Sequence, residues 1–118
     1  MASTLAIMAT ITALAGLYGV DPELALCICR RESSFNNRAV GDEGKAVGLW
    51  QWHKTSWDHV RRSMDLSTLD HRANIVESTE AAMYAMSVLD LYHWWSTFEA
   101  CVKEVSGSPS SCGGGPSV

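Results

Sequence analysis

Apolar residues recur at three- and four-residue intervals along most of this chain of 118 residues, and this is the spacing of one face of an α-helix. No stretch shows the alternation of apolar and polar residues that marks a half-buried strand. The sequence therefore predicts an essentially all-α fold. The expected stripes are Leu5, Met8, Ile11, Thr12 and Ala15 in a first helix, Trp57, Val60, Arg61 and Met64 in a third, and Ala82, Ala85, Met86 and Leu89 in the longest, over about residues 78–92.

The strongest local signal is a helix start at Asp21-Pro22-Glu23. Aspartate is a preferred N-cap, proline suits the first helical position, and an acid in the first turn complements the helix dipole. We expect this second helix to run to about Ser33, a polar loop to follow over residues 36–44, and a further helix over residues 94–105. The single helical domain should span residues 1–105, and the Gly-, Ser- and Pro-rich residues 106–118 should form a flexible tail.

Length and charge limit the possible functions. The chain is long enough for one domain with a sizeable core. Its formal charge is −4 and it has no basic stripe, so nucleic acid is not an expected partner.

The first 20 residues carry no charge, and Ala13-Leu14-Ala15 matches a signal-peptidase pattern. No lysine or arginine precedes this apolar run, although signal peptides normally have one. Polar and small residues also weaken it as a membrane span. We therefore expect a first domain helix here rather than a signal or an anchor, and no stable membrane insertion.

Four cysteines, Cys27, Cys29, Cys101 and Cys112, allow three pairings if all are oxidised. Cys27 and Cys29 lie two apart on a helix and point to different sides, so they cannot readily bridge each other. We expect both to be buried free thiols. The alternative is one long-range bridge to Cys101 or Cys112, which requires an oxidising compartment. No metal-ligand spacing is present, so no metal and no cofactor are expected.

Glu32 stands at the expected end of the second helix. The negative end of the helix dipole disfavours its ionised form, and Ile28 and Cys29 on the same face place it at the rim of the core. Both effects raise the pKa of a carboxyl group, as an acid that donates a proton near neutrality requires. Arg30 and Arg31 would reverse this only if they turned toward it.

A second cluster, Gly48-Leu49-Trp50-Gln51-Trp52, follows in the chain. Trp50 and Trp52 are candidates for stacking on a sugar, although most of the five tryptophans are expected to fill the core. His53 could line the same groove or lie on the surface.

Glu32-Ser33-Ser34-Phe35, followed by Asn37, Ala39-Val40 and Ala46-Val47-Gly48-Leu49-Trp50-Gln51, resembles the motifs of the soluble lytic transglycosylase (SLT) family. Tyr18 to Leu24 also looks like that family's entry into its catalytic helix. The resemblance implies a lysozyme-like fold with a substrate groove and cleavage of peptidoglycan. Glu32 would be the catalytic acid and base, Ser33 would support the site, Gly48 would let the backbone approach the glycan, and Gln51 would bond the sugar or the loop.

The chain departs from the family pattern in two places. The alanine-tyrosine-asparagine motif, whose tyrosine reaches the catalytic glutamate, has no clear match, and Tyr84 or Tyr92 could take that role. Trp50 replaces the usual methionine. Asp42 and Glu43 could provide a second carboxylate, although solvated loop acids are the simpler interpretation.

The resemblance favours a lytic transglycosylase that cleaves the MurNAc–GlcNAc bond and leaves a 1,6-anhydro product. The alternatives are a hydrolysing muramidase on the same fold and a non-catalytic glycan-binding or assembly module. We expect a monomer whose partner is peptidoglycan, and a periplasmic, extracellular or phage-delivered protein such as an endolysin.

Overall fold

The structure is a computed structural model that describes residues 3–107. These residues form five α-helices, one short hairpin and one 3-10 turn, which confirms the all-α prediction for them. The expected tail and Cys112 fall largely or wholly outside them. In chain order the elements are α1 (Thr4–Tyr18), α2 (Pro22–Ser33), β1 (Val40–Gly41), β2 (Ala46–Val47), α3 (Lys54–Ser63), α4 (Ile75–Ser87), the 3-10 turn (Tyr92–Trp94) and α5 (Phe98–Ser106).

Helix α1 packs against α2 and α4 and forms part of the domain. The Ser3 side chain caps its start by accepting from the Ala6 amide. The buried stripe is Ile7, Ile11 and Ala15, so the expected stripe is rotated, and Leu5 is 78% exposed. Within residues 3–107, no helix is long and apolar enough to cross a membrane.

Helix α2 has the predicted bounds. The Asp21 side chain accepts from the Glu23 amide at 3.0 Å, and Pro22 is the first helical residue. The helix ends where Ser34 and Phe35 both take positive φ angles, 53° and 62°. Such angles are uncommon for residues other than glycine, and here they turn the chain sharply after Glu32.

The polar loop after α2 contains a two-stranded antiparallel hairpin, which the sequence analysis missed. Val40 pairs with Val47, and Gly41 pairs with Ala46. Each strand has only two residues, too few for an alternating pattern to be visible. Residues 42–45 form the turn, and Asp42, Glu43 and Gly44 in it have positive φ.

Tryptophan side chains form the centre of the core, as expected for most of them. Trp50, Trp52, Trp57 and Trp95 are each at most 5% exposed. Trp52 packs edge-on against Trp57, with ring centres 6.0 Å apart, and against Trp95, with ring centres 5.3 Å apart. Each indole N–H donates to an oxygen of another element or loop, so these large side chains are buried with their polar atoms satisfied.

The last two helices begin and end away from their predicted positions. Helix α4 begins at Ile75, because the Asn74 side chain caps it by accepting from the Glu77 amide at 2.8 Å, and it ends at Ser87. The predicted helix over 94–105 is broken: a 3-10 turn ends at Trp94, Trp95 is extended, and α5 begins only at Phe98. This break brings residues 94–97 to the cleft described below.

A disulfide joins Cys27 of α2 to Cys101 of α5. The prediction of two free thiols was therefore wrong for Cys27, while Cys29 is a buried free thiol in the described part of the chain. Cys27 and Cys29 face different sides of α2, as their spacing predicted, and the alternative of one long-range bridge to Cys101 is the one observed. The Cys27 side faces α5, which the sequence alone did not place next to it.

Candidate active site

A cleft of about 270 Å³ opens between the end of α2, the hairpin, the start of α3 and the segment before α5. It contains polar groups on its walls and indole rings at its base. Its lining residues are Glu32, Asp42, Ala46, Trp50, Gln51, Trp52, His53, Ser56, Trp94, Trp95 and Ser96.

Glu32 lies in the last turn of α2 and is half-buried at this cleft. Burial raises the pKa of its carboxyl group, and a hydrogen bond from Thr97 acts in the opposite direction. The Thr97 hydroxyl donates to Glu32 Oε2 at 2.9 Å. The net result is a carboxyl group that holds its proton more tightly than a solvated glutamate does.

Arg30 and Arg31 both turn away from Glu32, as their positions on the helix predicted. Arg30 Nη2 lies 2.6 Å from Glu104 Oε2 of α5, and Arg31 Nη2 lies 2.9 Å from Glu104 Oε1. These hydrogen bonds lower the pKa of Glu104. Cations near Glu32 would favour its ionised form. Because Arg30 and Arg31 pair with Glu104, neither guanidinium group stabilises the ionised form of Glu32.

Trp50 does not offer a ring to a sugar. Its side chain is 0% exposed, its Nε1 donates to Thr79 at 3.0 Å, and its ring packs edge-on against Trp95. The residue borders the cleft from beneath and belongs to the core. The stacking role is therefore wrong for Trp50, and the same burial removes Trp52 as a platform.

Gly48 was expected to let the backbone approach the glycan, but in the structure its backbone lies close to the backbone of Arg72. It is buried with a φ of 88°, and an added Cβ would lie 2.1 Å from the carbonyl oxygen of Arg72. The Arg72 guanidinium in turn donates to the carbonyls of Lys45 and Trp52. Gly48 thus permits the close backbone contact that fixes the hairpin to the segment before α4.

Gln51 lines the cleft and bonds the loop. Its Nε2 donates to the carbonyls of Gly48 at 2.9 Å and Ala39 at 3.2 Å. Ser33 lies beside the site without lining the cleft. Its hydroxyl donates to the Cys29 carbonyl within α2 at 3.3 Å, so any support it gives to Glu32 acts through the end of the helix.

Neither candidate tyrosine reaches Glu32. The Tyr84 hydroxyl donates to the Ser63 carbonyl at the end of α3, and the residue does not line the cleft. Burial, followed by the charges of Asp90 and Asp21, raises the pKa of Tyr92. Tyr92 does not line the cleft, and its ring packs against Phe98 with ring centres 5.0 Å apart. The hydrogen bond to the Glu32 carboxyl group comes from Thr97 instead.

Asp42 and His53 both line the cleft and form a pair there. His53 Nε2 lies 3.1 Å from Asp42 Oδ2, and both side chains are about half exposed. Asp42 is an exposed loop acid that lines the cleft, whereas Glu43 does not line it. Because Asp42 lies in the hairpin turn, its place at the cleft follows from a hairpin that no sequence pattern predicted.

Trp94 is the tryptophan whose ring is accessible among residues 3–107, with 39% exposure at the cleft. It lies against His59 with ring centres 5.9 Å apart. Its neighbour Trp95 is buried and donates its Nε1 to the Trp50 carbonyl at 3.0 Å. The pair of adjacent tryptophans is itself a signal, since two neighbouring residues cannot both face the core from one helix.

Residues 3–107 contain no group of three or more His, Cys, Asp and Glu side chains that could hold a metal ion.

The helical fold with a half-buried glutamate at a cleft is compatible with a lysozyme-like domain. The family model of the transglycosylase SLT domain matches residues 9–99 of the chain. The match covers more than half of the sequence, and the chain belongs to the SLT family. No curated protein and no solved structure matches it.

Proposed function

We propose that this protein is a lytic transglycosylase that cleaves the β-1,4 bond between MurNAc and GlcNAc in peptidoglycan. The observation that carries the proposal is the state of Glu32, a half-buried carboxyl group at the cleft with a raised pKa and with both neighbouring arginines paired elsewhere. Family membership supports glycan cleavage in general. The retained Glu32 argues against a module that only binds glycan.

In the first step the protonated Glu32 donates its proton to the glycosidic oxygen. The bond between C1 of MurNAc and that oxygen breaks, the GlcNAc side leaves as an alcohol, and positive charge develops on the MurNAc ring. The raised pKa keeps a larger fraction of Glu32 protonated near neutrality, which is what a general acid needs.

In the second step the Glu32 carboxylate accepts the proton of the MurNAc 6-hydroxyl. The 6-oxygen attacks C1, a 1,6-anhydro ring closes, and Glu32 is again protonated, so no water is consumed. The nucleophile belongs to the substrate and is present at high effective concentration. One carboxyl group therefore suffices, whereas ordinary glycosidases use two.

Trp94 is the proposed sugar-contacting residue, in place of Trp50. Its partly exposed ring at the cleft offers an apolar face for a pyranose ring, and the ring also contacts His59. Gln51 and Ser96 offer polar groups beside it.

The presence of Asp42 at the cleft favours one alternative, a muramidase that hydrolyses the same bond. In that reaction a second carboxylate activates water. We favour the transglycosylase because Asp42 already pairs with His53.

Two variants and one product assay decide between these reactions. Glu32→Gln keeps the shape of the side chain but transfers no proton, and it should lower cleavage of purified peptidoglycan by at least about a hundredfold. Asp42→Asn should retain most activity. Mass spectrometry of wild-type digests should show 1,6-anhydromuramoyl ends, which lack one water relative to hydrolysed ends. Mainly reducing ends, together with an inactive Asp42→Asn, would establish the muramidase; near-normal activity of Glu32→Gln would reject both.

We also propose that the protein works outside the reducing cytoplasm, in the periplasm, the extracellular space or as a phage-encoded lysin at the wall. The Cys27–Cys101 bridge supports this, because disulfides persist in oxidising compartments. A monomer suffices, since all the residues invoked come from one chain.

A further inference from the structure

We propose that Thr97 is the positioning residue of Glu32. The inference rests on the proposed function. Its basis is the hydrogen bond from the Thr97 hydroxyl to Glu32 Oε2, which joins residues 65 apart in the sequence.

Thr97 is the N-cap residue of α5, yet its side chain makes no capping hydrogen bond within the described chain. A threonine at this position normally accepts from an amide of the first helical turn, which stabilises the helix. Here the hydroxyl is directed to Glu32 instead. The side chain therefore serves the carboxyl group of α2 rather than its own helix.

The hydrogen bond distinguishes the two oxygens of Glu32. Oε2 accepts from Thr97, so the acidic proton resides on Oε1, the oxygen without that bond. A carboxyl group whose proton has a fixed location meets the glycosidic oxygen in one orientation, and small errors of orientation are costly in rate.

Three contacts hold Thr97 at this place. Trp95, two residues earlier, donates its indole N–H to the Trp50 carbonyl. Cys101, one turn later, is bonded to Cys27 of α2. Glu104, a further turn along α5, pairs with Arg30 and Arg31 of α2. The break before α5, which the periodicity of the sequence did not indicate, is thus anchored on both sides.

The test compares Thr97→Val, which has nearly the same shape but no hydroxyl, with Thr97→Ser, which keeps the hydroxyl. Tyr84→Phe is the matched control, because it removes a hydroxyl that bonds the Ser63 carbonyl away from the cleft. Thr97→Val should lower the maximal rate of peptidoglycan cleavage by about tenfold or more. The basic limb of its pH–rate profile should move to higher pH, since a donor that favours the carboxylate is lost. Thr97→Ser and Tyr84→Phe should keep the wild-type profile.

A second measurement does not depend on activity. The ¹³C carboxyl signal of Glu32, assigned by its loss in Glu32→Gln, should titrate at higher pH in Thr97→Val than in the wild type and Thr97→Ser. Unchanged titration in Thr97→Val, or the same change in Thr97→Ser, would overturn the proposal. If Thr97→Val does not fold, Thr97→Ala replaces it in both measurements. An active Glu32→Gln would reject the proposed function, while the titration would still judge the contact between Thr97 and Glu32.

Discussion

Two segments of this protein carry adjacent or nearly adjacent tryptophans, and they have opposite tasks. Residues 48–52 carry a motif of the family, but Trp50 and Trp52 lie in the core and hydrogen-bond α4. Residues 94–97 match no motif noted in the sequence, yet they place Trp94 at the cleft and Thr97 on Glu32.

The difference shows that a motif near an active site can act by shaping the backbone. Gly48 allows the contact with Arg72, and Gln51 fastens the loop to Ala39. The motif segment thus builds the wall of the cleft. The segment before α5 supplies groups that face into it, and it can do so because it is not helical.

The largest effect expected from this comparison is on stability. Trp50→Ala should reduce the free energy of unfolding by about 3–5 kcal/mol, because it removes a fully buried ring and leaves a cavity. Trp94→Ala should change it by less than about 1 kcal/mol, since its ring is partly exposed. Urea unfolding of both variants measures the contrast. Equal losses would remove the distinction between the two segments.

Reduction of the Cys27–Cys101 bridge should be the next largest effect. The bridge closes a loop with a sequence separation of 74, for which chain entropy predicts about 4 kcal/mol of stabilisation. Cys27→Ser combined with Cys101→Ser should therefore lower the midpoint of thermal unfolding and also reduce activity, because α5 carries Thr97. A variant with unaltered stability would show that the bridge does not constrain the unfolded chain.

Glycan binding should depend on the segment around Trp94, whereas stability depends more on the segment around Trp50. Trp94→Ala, made in the inactive Glu32→Gln background, should weaken binding of peptidoglycan fragments by roughly 1–3 kcal/mol, by analogy with bases stacked on aromatic side chains. Calorimetry with purified fragments provides the measurement, and Trp94→Phe, which keeps an aromatic face, is its control. Unaltered affinity in Trp94→Ala would mean that the sugar contacts lie elsewhere in the cleft.

The smallest expected effect concerns pH and stability. Burial raises the pKa of Glu32 above its ordinary value in the folded state, so the folded protein binds this proton more tightly than the unfolded chain. The resulting stabilisation is present below the unfolded pKa and is lost as the pH rises through the folded pKa. Glu32→Gln has no such loss. Its unfolding midpoint relative to wild type should therefore rise by a few degrees at most between about pH 4 and about pH 7; a constant difference would contradict this.

Local signals were sufficient for much of the fold. Asp21 and Pro22 fixed the start of α2, and Trp57, Val60 and Arg61 form the buried face of α3 as predicted. The role of Glu32 remains a prediction, although its half-buried place at the end of α2 agrees with what the helix position suggested.

Contacts between distant segments account for the rest. The Thr97 hydroxyl, the Cys27–Cys101 bridge and the pair of Asp42 with His53 depend on how α5 and the hairpin pack against α2 and α3, which no local pattern encodes. The predicted sugar contact of Trp50 was wrong because the local sequence around a tryptophan in this motif is the same whether its ring faces a sugar or the core.

The bridge also changes the topology of the chain. Along the chain, Glu32 and Thr97 are 65 residues apart. In the oxidised protein a shorter covalent path runs through the disulfide, because Glu32 is five residues from Cys27 and Thr97 is four residues from Cys101. This short tether gives the hydroxyl a high local concentration around the carboxyl group even when the helices are unfolded. A protease cut in the hairpin turn at residues 42–44 would likewise leave both groups in one covalently joined molecule, with two fragments separating only under reducing conditions.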